Sequence, residues 1–458
     1  MQSVHKNRVL DMTTGSPARL LLRFSLPLFL GNVLQQFYNL ADTSIAGHIL
    51  GDGALAEIGA AAALCRLITN FAFGLNHGLA LTVSQNFGAG NSKGMKQSVC
   101  WMVSLSAVSA VVLTTGFLLF RYRLLSILQV PEETAEGALC YLTVILAGIP
   151  LMMAYNLESG LMQAVGNSVT PLLFLVFSSG LNIGLDVLFM GTLGLGVQGA
   201  AAATVLAQGI SAVMGFFYIL RNYPELRFSQ KEFQAGIHFV IEMFWTGLSM
   251  ALMSTIYNIG SVILQGSINA LGSVYIAAQV GGGRLAEFFY IPGLALGTGI
   301  AAYTSQNYGA GCRRRIAGGV KMALIMYGIW WLAAMVLTFL TAPDAIGFIT
   351  GSRNQEVISN AVMYLQINIP MVPPMAALVI LRNTLQGMRR SAAPLLCSAL
   401  ELIGKMIFAL WIVPVRGYPA VCICEPVTWV ICFCFILGAV FLYRREFQEA
   451  EVQGINGK

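Results

Sequence analysis

The sequence SQNFGAG at residues 84–90 occurs again as SQNYGAG at residues 305–311. Two further matches recur at almost the same separation along the chain, Tyr38-Asn39 as Tyr257-Asn258 and Tyr141-Leu142 as Tyr364-Leu365. Nearly constant separations in three different regions indicate an internal repeat. The sequence therefore predicts two related halves.

The composition of both halves suits a bilayer better than water. Of the 458 residues, 57% are hydrophobic and only 10% are charged, whereas an ordinary soluble domain has about 25% charged residues. Apolar stretches such as 103–120, 248–265 and 322–340 approach or reach the roughly 20 residues that cross a hydrocarbon core of about 30 Å. The basic residues are spread along the chain, so nucleic acid is not an expected partner. We predict an all-α integral membrane protein.

The hydropathy pattern predicts twelve transmembrane helices. The second and eighth spans are long and rich in glycine, so breaks or tilts are expected there. The repeat distance covers six spans, which makes the copies parallel repeats in two six-helix lobes. We predict an N-terminal lobe at 1–225, a cytoplasmic linker at 226–240, and a C-terminal lobe with a short tail at 241–458. The spans are expected at 24–45, 57–84, 98–120, 137–157, 170–190, 197–220, 241–266, 273–305, 319–341, 356–381, 394–414 and 420–443.

The distribution of lysine and arginine predicts the orientation. With both termini in the cytoplasm, the inner segments hold seventeen of these residues and the outer loops hold four. Such an excess marks the cytoplasmic side. The N-terminus has no signal-peptide cleavage pattern, so the first span is expected to remain in the protein. We predict a multi-pass protein of the cell (inner or plasma) membrane, with two lobes enclosing a cleft as in a transporter. The alternative is a duplication retained for stability alone.

Polar residues inside the spans are the candidate functional residues, because a charge at a helix centre costs about 2.5–3.5 kcal/mol on insertion scales. Asp42 follows Tyr38 by four residues in span one, and Asp186 follows Asn182 by four in span five. Residues at this spacing share a helix face. The spacing does not show that these spans meet; if they do, these residues and Thr204 in span six would form an oxygen-rich site for Na⁺, or a proton site if no metal binds. The alternative is that Asp42 reaches water at a helix end and Asp186 serves packing.

The second half repeats the architecture with different chemistry. Ser261 stands at the repeat distance from Asp42. Two pairs of opposite charges are expected inside its spans. The simpler interpretation is that the charges of each pair neutralise each other. The alternative is that a glutamate of one pair contacts a cationic substrate. The pairs at helical spacing are Arg284 with Glu287 and Glu401 with Lys405.

Motifs for other functions are not found. The glycine run 281–283 lies inside a span and lacks the Gly-Lys-Ser/Thr ending of a phosphate loop. No Ser/His/Asp arrangement suggests hydrolysis, the four histidines are not spaced as a metal pair, and the nine cysteines lie mostly in spans. We therefore expect neither an enzyme nor a bound cofactor.

The ordered set of motifs resembles the multidrug and toxic compound extrusion transporters over nearly the whole chain. The resemblance implies a twelve-helix fold with a V-shaped cleft, and antiport of drugs or organic cations against Na⁺ or H⁺. In one branch of this family the cation site lies in the N-terminal lobe. The motifs that carry the resemblance are Pro27 with Asp42, both Gly-Ala-Gly turns, residues 162–167 before Pro171, and Asn182, Asp186, residues 199–201 and Thr204 in that order.

The resemblance also implies roles for individual residues. Asp42, Asn182, Asp186 and Thr204 match the cation ligands of that branch. Tyr38 and Tyr141 are expected nearby, and Pro27 is expected to be a bending point. Another branch uses an acid in span seven, but residues 248–258 contain none, so a site of that kind is not expected here.

We therefore predict a monomeric exporter of amphipathic or cationic small molecules that exchanges them for Na⁺ or H⁺. The alternative is a flippase for a lipid-linked saccharide or another amphipathic metabolite. A cleft lined with many basic residues would favour the flippase. This chain offers few such residues, chiefly Arg66, Arg284 and Arg382.

Overall fold

The computed structural model describes residues 9–127, 130–351 and 354–444. Fifteen helices account for most of them: α1 (Pro17–Leu50), α2 (Asp52–Gly88), α3 (Ser92–Ile127), α4 (Glu132–Ala147), α5 (Ile149–Ala164), α6 (Val169–Asp186), α7 (Gly196–Asn222), α8 (Ile237–Leu271), α9 (Ser273–Gly309), α10 (Arg313–Thr350), α11 (Gln355–Asn368), α12 (Val372–Gly387), α13 (Ala392–Ile407), α14 (Val413–Arg416) and α15 (Tyr418–Leu442). Five basic residues used to predict the orientation lie outside the described residues: Lys6, Arg8, Arg353, Arg445 and Lys458.

The helices have the length and composition of membrane spans. Within the described ranges, ten segments are long and apolar enough to cross a bilayer when α11 with α12 and α13 with α14 are each counted as one, and α4 with α5, bent by 47°, would make an eleventh. Helix α1 is 34 residues long, but its apolar run is interrupted by Gln35, Gln36 and Asn39. With α1, the structure is consistent with twelve spans. Large apolar side chains such as Leu340 lie exposed, which suits contact with lipid better than contact with water.

Contacts divide the described chain into two compact units. The first unit comprises residues 9–11 and 30–251, and the second comprises residues 12–29 and 252–444. The changeovers lie within α1 and α8. They differ from the predicted lobe boundaries at 225 and 241, which stay a prediction.

The same helix pairings occur in both units. In the first unit, α2 packs against α3, α4 and α5, and α7 packs against α4, α5 and α6. In the second unit, α9 packs against α10, α11 and α12, and α15 packs against α11, α12 and α13. Each unit has its own buried apolar core. The sequence repeat is thus a repeat of structure.

The repeated Gly-Ala-Gly sequence ends a helix in each unit. In the first unit, Gly90 has φ +65°, and the N–H of Asn91 donates to the carbonyl oxygen of Asn86 at 3.0 Å. In the second unit, Gly311 has φ +74°, and the N–H of Cys312 donates to the carbonyl oxygen of Asn307 at 2.8 Å. A left-handed residue that lets the next N–H reach back is the usual glycine ending of a helix.

Of the breaks or tilts expected in spans two and eight, breaks do not occur, because α2 and α9 are continuous helices of 37 residues each, and the tilt stays a prediction. The glycines of α2 serve close packing instead. A Cβ on Gly78 would lie 2.7 Å from the Cα of Gly247 and 2.7 Å from the carbonyl oxygen of Thr246. The absence of a side chain therefore lets α8 approach α2 at backbone distance.

The helix breaks occur at prolines in spans four and ten. Helices α4 and α5 meet at Gly148, just before Pro150, with a bend of 47°. Helix α11 gives way to α12 through the short 3₁₀ turn Ile369–Met371, which contains Pro370. Proline lacks the N–H of the helix ladder and clashes with the preceding turn, so these sites favour a change of direction.

Gly78→Ala is expected to lower the free energy of unfolding by about 1–3 kcal/mol, the usual range for overpacking. The matched control is Gly59→Ala in the same helix, where a Cβ would meet no atom within 4 Å. The control is expected to be neutral or slightly stabilising, because alanine favours helix by up to about 1 kcal/mol. Thermal unfolding of the two purified variants in detergent tests this difference. Equal midpoints would contradict the close packing at Gly78.

Candidate cation site

Helices α1, α6 and α7 bring the predicted cation residues together within the first unit. Asn182 is the central residue. In the amide orientation that satisfies both of its ends, Nδ2 donates to Asp186 Oδ2 at 2.8 Å and to Tyr38 Oη at 3.0 Å, and Oδ1 accepts from the N–H of Thr204 at 3.0 Å. The carboxyl groups of Asp42 and Asp186 lie within hydrogen-bonding distance of each other.

The site is largely shielded from solvent. Asp186 is fully buried and Asn182 is 2% exposed, while Asp42 is half-buried. The Oδ1 atoms of both carboxyls are buried and have no hydrogen-bond donor among the described residues. Such groups cost free energy unless a proton or a cation satisfies them. The site is therefore suited to a positively charged species.

Local structure positions Asp186 at the end of a regular helix. Helix α6 ends at this residue, and the π-helical turn Val187–Thr192 follows directly. π-Helical turns occur frequently at functional sites. On α7, the hydroxyl of Thr204 donates to the carbonyl oxygen of Ala200 at 3.2 Å, which restricts the rotation of its side chain.

The supporting residues occupy different places. Tyr38 is part of the site, and the α4 residue Tyr141 lies close enough to interact electrostatically with Asp42 and Asp186. Tyr141 also packs against a small apolar cluster that includes Ala200. Pro27 lies inside α1, in the segment that belongs to the second unit. The structure therefore does not bring Pro27 into the site.

A small cavity adjoins the site, with a volume of about 50 Å³. This space suits a water molecule or an ion, whereas drug-sized ligands occupy roughly 300–1,000 Å³. Sequence reasoning missed several of its residues. Ser178 precedes Asn182 by four residues and Gln208 follows Thr204 by four, so helical spacing would have found them, but Tyr155 had no such signal. The lining residues are Gln35, Tyr38, Tyr155, Leu175, Ser178, Ser179, Asn182, Thr204, Ala207 and Gln208.

A further buried acid, Glu158, lies in α5 and was also missed. It is 7% exposed, and its carboxylate lies against the backbone of α7 at Gly215, where a Cβ would collide with it. The predicted fourth span ended at residue 157, so Glu158 was not counted as an intramembrane charge. The helix in fact continues to Ala164.

The charge pairs of the second half have different outcomes. Lys405 and Glu401 form an ion pair at 3.5 Å, in agreement with the simpler interpretation. Glu425 and Arg382 join this pair. Sequence reasoning missed Glu425, although a carboxylate in span twelve was a signal for it. Arg284 and Glu287 lie exposed on α9, and their mutual pairing stays a prediction.

No group of three or more His, Cys, Asp or Glu side chains that could hold a metal ion occurs in the part of the chain that the structure describes. The candidate site has two carboxyls, and its further oxygen atoms come from the amide of Asn182 and the hydroxyl of Thr204. Such oxygen atoms suit a hard cation such as Na⁺. The two carboxyls alone could instead share a proton.

Comparison with known proteins places this geometry in a family. The MatE family model matches residues 27–188 and 246–411. The probable multidrug resistance protein YpnP of Bacillus subtilis strain 168 is 30% identical over 359 residues, which cover 74% of this chain and 78% of that protein. A FAD transporter of Shewanella oneidensis is 23% identical over 402 residues, which cover 85% of this chain and 86% of that protein.

A solved structure has the same fold. The crystal structure of a MATE protein in complex with MaL6 matches with a TM-score of 0.86 and 21% sequence identity, over 96% of this chain and 98% of that chain. At this identity the match concerns the fold alone. Because the family model covers both repeat halves and a relative is 30% identical over most of its length, the chain belongs to the MatE family of multidrug and toxic compound extrusion transporters.

Proposed function

We propose that this protein exports amphipathic or cationic small molecules across the plasma membrane in exchange for a cation, by alternating access. The observation that carries the proposal is the contact between the carboxyls of Asp42 and Asp186 in a shielded site. Two ionised carboxylates in contact repel each other, and the repulsion is strong where water is excluded. Such a pair favours binding one positive charge, which is what a coupling site requires.

The orientation of the Asn182 amide bears on the choice between a proton and Na⁺. In the orientation that satisfies both ends of the amide, the nitrogen faces Asp186 and the oxygen accepts from the N–H of Thr204. In the opposite orientation the nitrogen donates to Thr204 Oγ1 at 3.3 Å. We base the proposal on the first orientation. An Na⁺ ion would need that oxygen to turn toward the carboxyls. A proton shared between Asp42 and Asp186 leaves every one of these hydrogen bonds in place.

In the proposed cycle, the chain's own residues have separate tasks. Asp42 and Asp186 take up and release the proton, Asn182 holds Asp186 in position, and Tyr38 and Thr204 fix the amide of Asn182. Pro27, which lacks a backbone N–H, weakens α1 and lets it bend when the charge of the pair changes. We expect a monomer with both termini in the cytoplasm, which acts as a transporter rather than an enzyme and needs no bound cofactor.

Substrate is expected to bind outside the small cavity beside Asn182, since about 50 Å³ is too small for a drug. The names of relatives, which include multidrug resistance and multidrug export proteins, support drugs as substrates. Arg382 lies 3.7 Å from Glu401, so its charge is balanced within the protein. This pairing makes it a poor ligand for an anionic headgroup and weakens the flippase alternative.

The proposal is tested in proteoliposomes with separate gradients. We expect a proton gradient at equal Na⁺ concentrations to drive export of a fluorescent organic cation, and an Na⁺ gradient at equal pH to have no effect. Export driven only by Na⁺ would assign the other coupling ion. Export with ATP in the absence of both gradients would refute the antiport mechanism.

The variant Thr204→Val is a second test that distinguishes coupling to H⁺ from coupling to Na⁺. It removes the hydroxyl, a potential Na⁺ ligand, but keeps the backbone N–H that contacts Asn182. With proton coupling, we expect export to fall by no more than about fivefold, since one hydrogen bond is worth about 1 kcal/mol. Thr204→Ser is the matched control and should match the unmodified protein. Loss of export in Thr204→Val but not in Thr204→Ser would indicate a metal-ion ligand.

A further inference from the structure

The second unit contains a counterpart of the cation site. Its residues follow those of the first unit by one constant number of positions along the sequence. The difference in residue number between Tyr38 and Tyr257 recurs at four positions of the two units, although intervening segments such as Pro171 and Pro394 are separated by four residues more. Both sets lie on corresponding helices, and a π-helical turn follows each, at Val187–Thr192 and at Phe408–Ile412. The corresponding residues are Tyr38 with Tyr257, Asp42 with Ser261, Asn182 with Glu401, and Asp186 with Lys405.

The side chain of Lys405 lies at the centre of this counterpart. Its Nζ is 3.5 Å from Glu401 Oε1, 3.7 Å from Glu425 Oε1 and 3.4 Å from Ser261 Oγ. It also lies 4.1 Å from the centroid of the Tyr257 ring, where the π-face attracts a cation. Lys405 is 1% exposed, so its charge is balanced by the protein and not by water.

The carboxylates around the ammonium group are held in place by other partners. Arg382 Nη1 lies 3.7 Å from Glu401 Oε2, and Tyr364 Oη donates to Glu425 Oε2 at 3.5 Å. The two glutamates balance Lys405 and Arg382 in charge. The aliphatic part of the Lys405 side chain packs against Gly260 of α8. A Cβ at Gly260 would lie 3.0 Å from Cδ of Lys405. The cluster is thus a preformed set of oxygen atoms around one ammonium.

We propose that the second unit holds a cation site whose cation is the protein's own Lys405 ammonium. An ammonium is a compact, strongly hydrated point charge, and a ring of carboxylate and hydroxyl oxygens is the environment that a small hard cation takes. Because the lysine is covalently attached, this site does not exchange its cation. The idea that only the first unit binds and releases a coupling cation rests on the proposed function. The site around Lys405 in the second unit does not depend on it.

Removal of the ammonium tests the site. Lys405→Ala leaves two buried glutamates around an empty space, and we expect the midpoint of thermal unfolding in detergent to fall by several degrees. Methylammonium chloride should restore at least half of this loss. An equal concentration of N-methyl-D-glucamine chloride, whose cation is too large for the space, should not. Lys405→Met, which fills the space without a charge, is expected to be insensitive to methylammonium.

Two further variants keep the test decisive. If Lys405→Ala cannot be purified, the charge-balanced Lys405→Ala/Glu401→Gln carries the same criterion, because Glu425, Ser261 and Tyr257 still surround the space. Replacing Glu425 with glutamine as well should abolish the methylammonium effect. The proposal is overturned if methylammonium raises the midpoint no more than N-methyl-D-glucamine does. Gradient-driven export by the unmodified protein is measured separately, so a failure of the proposed function is distinguishable.

Discussion

Asp42→Asn and Asp186→Asn are each expected to reduce gradient-driven export of an organic cation to the rate of protein-free liposomes. The two carboxyls are in contact, so the cation that one binds is stabilised by the other. Asparagine preserves the shape of the side chain but can neither take up a proton nor provide a negative charge. Export measured as the release of a fluorescent organic cation under an imposed gradient tests both variants.

The same variants should remain folded. Replacing one acid of a buried like-charged pair removes a charge that costs free energy to bury, so we expect the thermal midpoint of Asp186→Asn to equal or exceed that of the unmodified protein. A loss of transport without a loss of stability separates a coupling role from a structural one. A packing role for Asp186 would show the opposite, with lower stability and retained export.

Asp52→Asn is the matched control. Asp52 is exposed in the first turn of α2, in the same unit as the site, and the chemical change is the same. It is expected to export at the unmodified rate. If both Asp42→Asn and Asp186→Asn also retain export, the proposed coupling site is wrong.

Local sequence patterns predicted the spans well, because hydropathy is a property of short segments, whereas the orientation predicted from basic residues stays a prediction. They also predicted that Asn182 and Asp186 share a helix face. Local patterns could not predict the contact between Asp42 and Asp186, because it depends on how α1 packs against α6 and α7. Only the resemblance to a family indicated that these residues converge.

Patterns failed where one residue type has two physical uses. The glycines of α2 were expected to cause a break or a tilt, but the helix is unbroken and Gly78 permits the close approach of α8.

The charged residues of the two halves were harder to align than the rest of the repeat. The pair of Glu401 and Lys405 was found from its spacing, yet its match to Asn182 and Asp186 requires the separation that Tyr38 and Tyr257 define. Neighbouring segments, such as the repeated Tyr-Leu sequences, are separated by four positions more. From the sequence, Glu401 and Lys405 could therefore be placed near the counterparts of Asn182 and Asp186 only with a four-residue gap in the alignment.

Gly166→Ala is expected to lower the free energy of unfolding more than Gly78→Ala does. Gly166 follows the end of α5 with φ +84°, and the N–H of Asn167 donates to the carbonyl oxygen of Met162 at 2.9 Å. The left-handed conformation costs an alanine roughly 1–2 kcal/mol. In addition, a Cβ would collide with the carbonyl oxygen of Leu10 and lie 2.9 Å from its carbonyl carbon. Overpacking against this backbone adds about 1–3 kcal/mol.

Two comparisons separate the collision from the backbone conformation. Gly90→Ala places a methyl group at φ +65° with no atom within 4 Å, so it should show the conformational effect alone. The second unit offers a natural counterpart, because Arg389, which occupies the repeat position of Gly166, adopts φ +61° with a full side chain. A left-handed residue is thus tolerated at this turn, and the backbone of Leu10 makes glycine necessary at 166. We expect thermal unfolding to rank Gly166→Ala well below Gly90→Ala, and similar midpoints would show that Leu10 does not press on the turn.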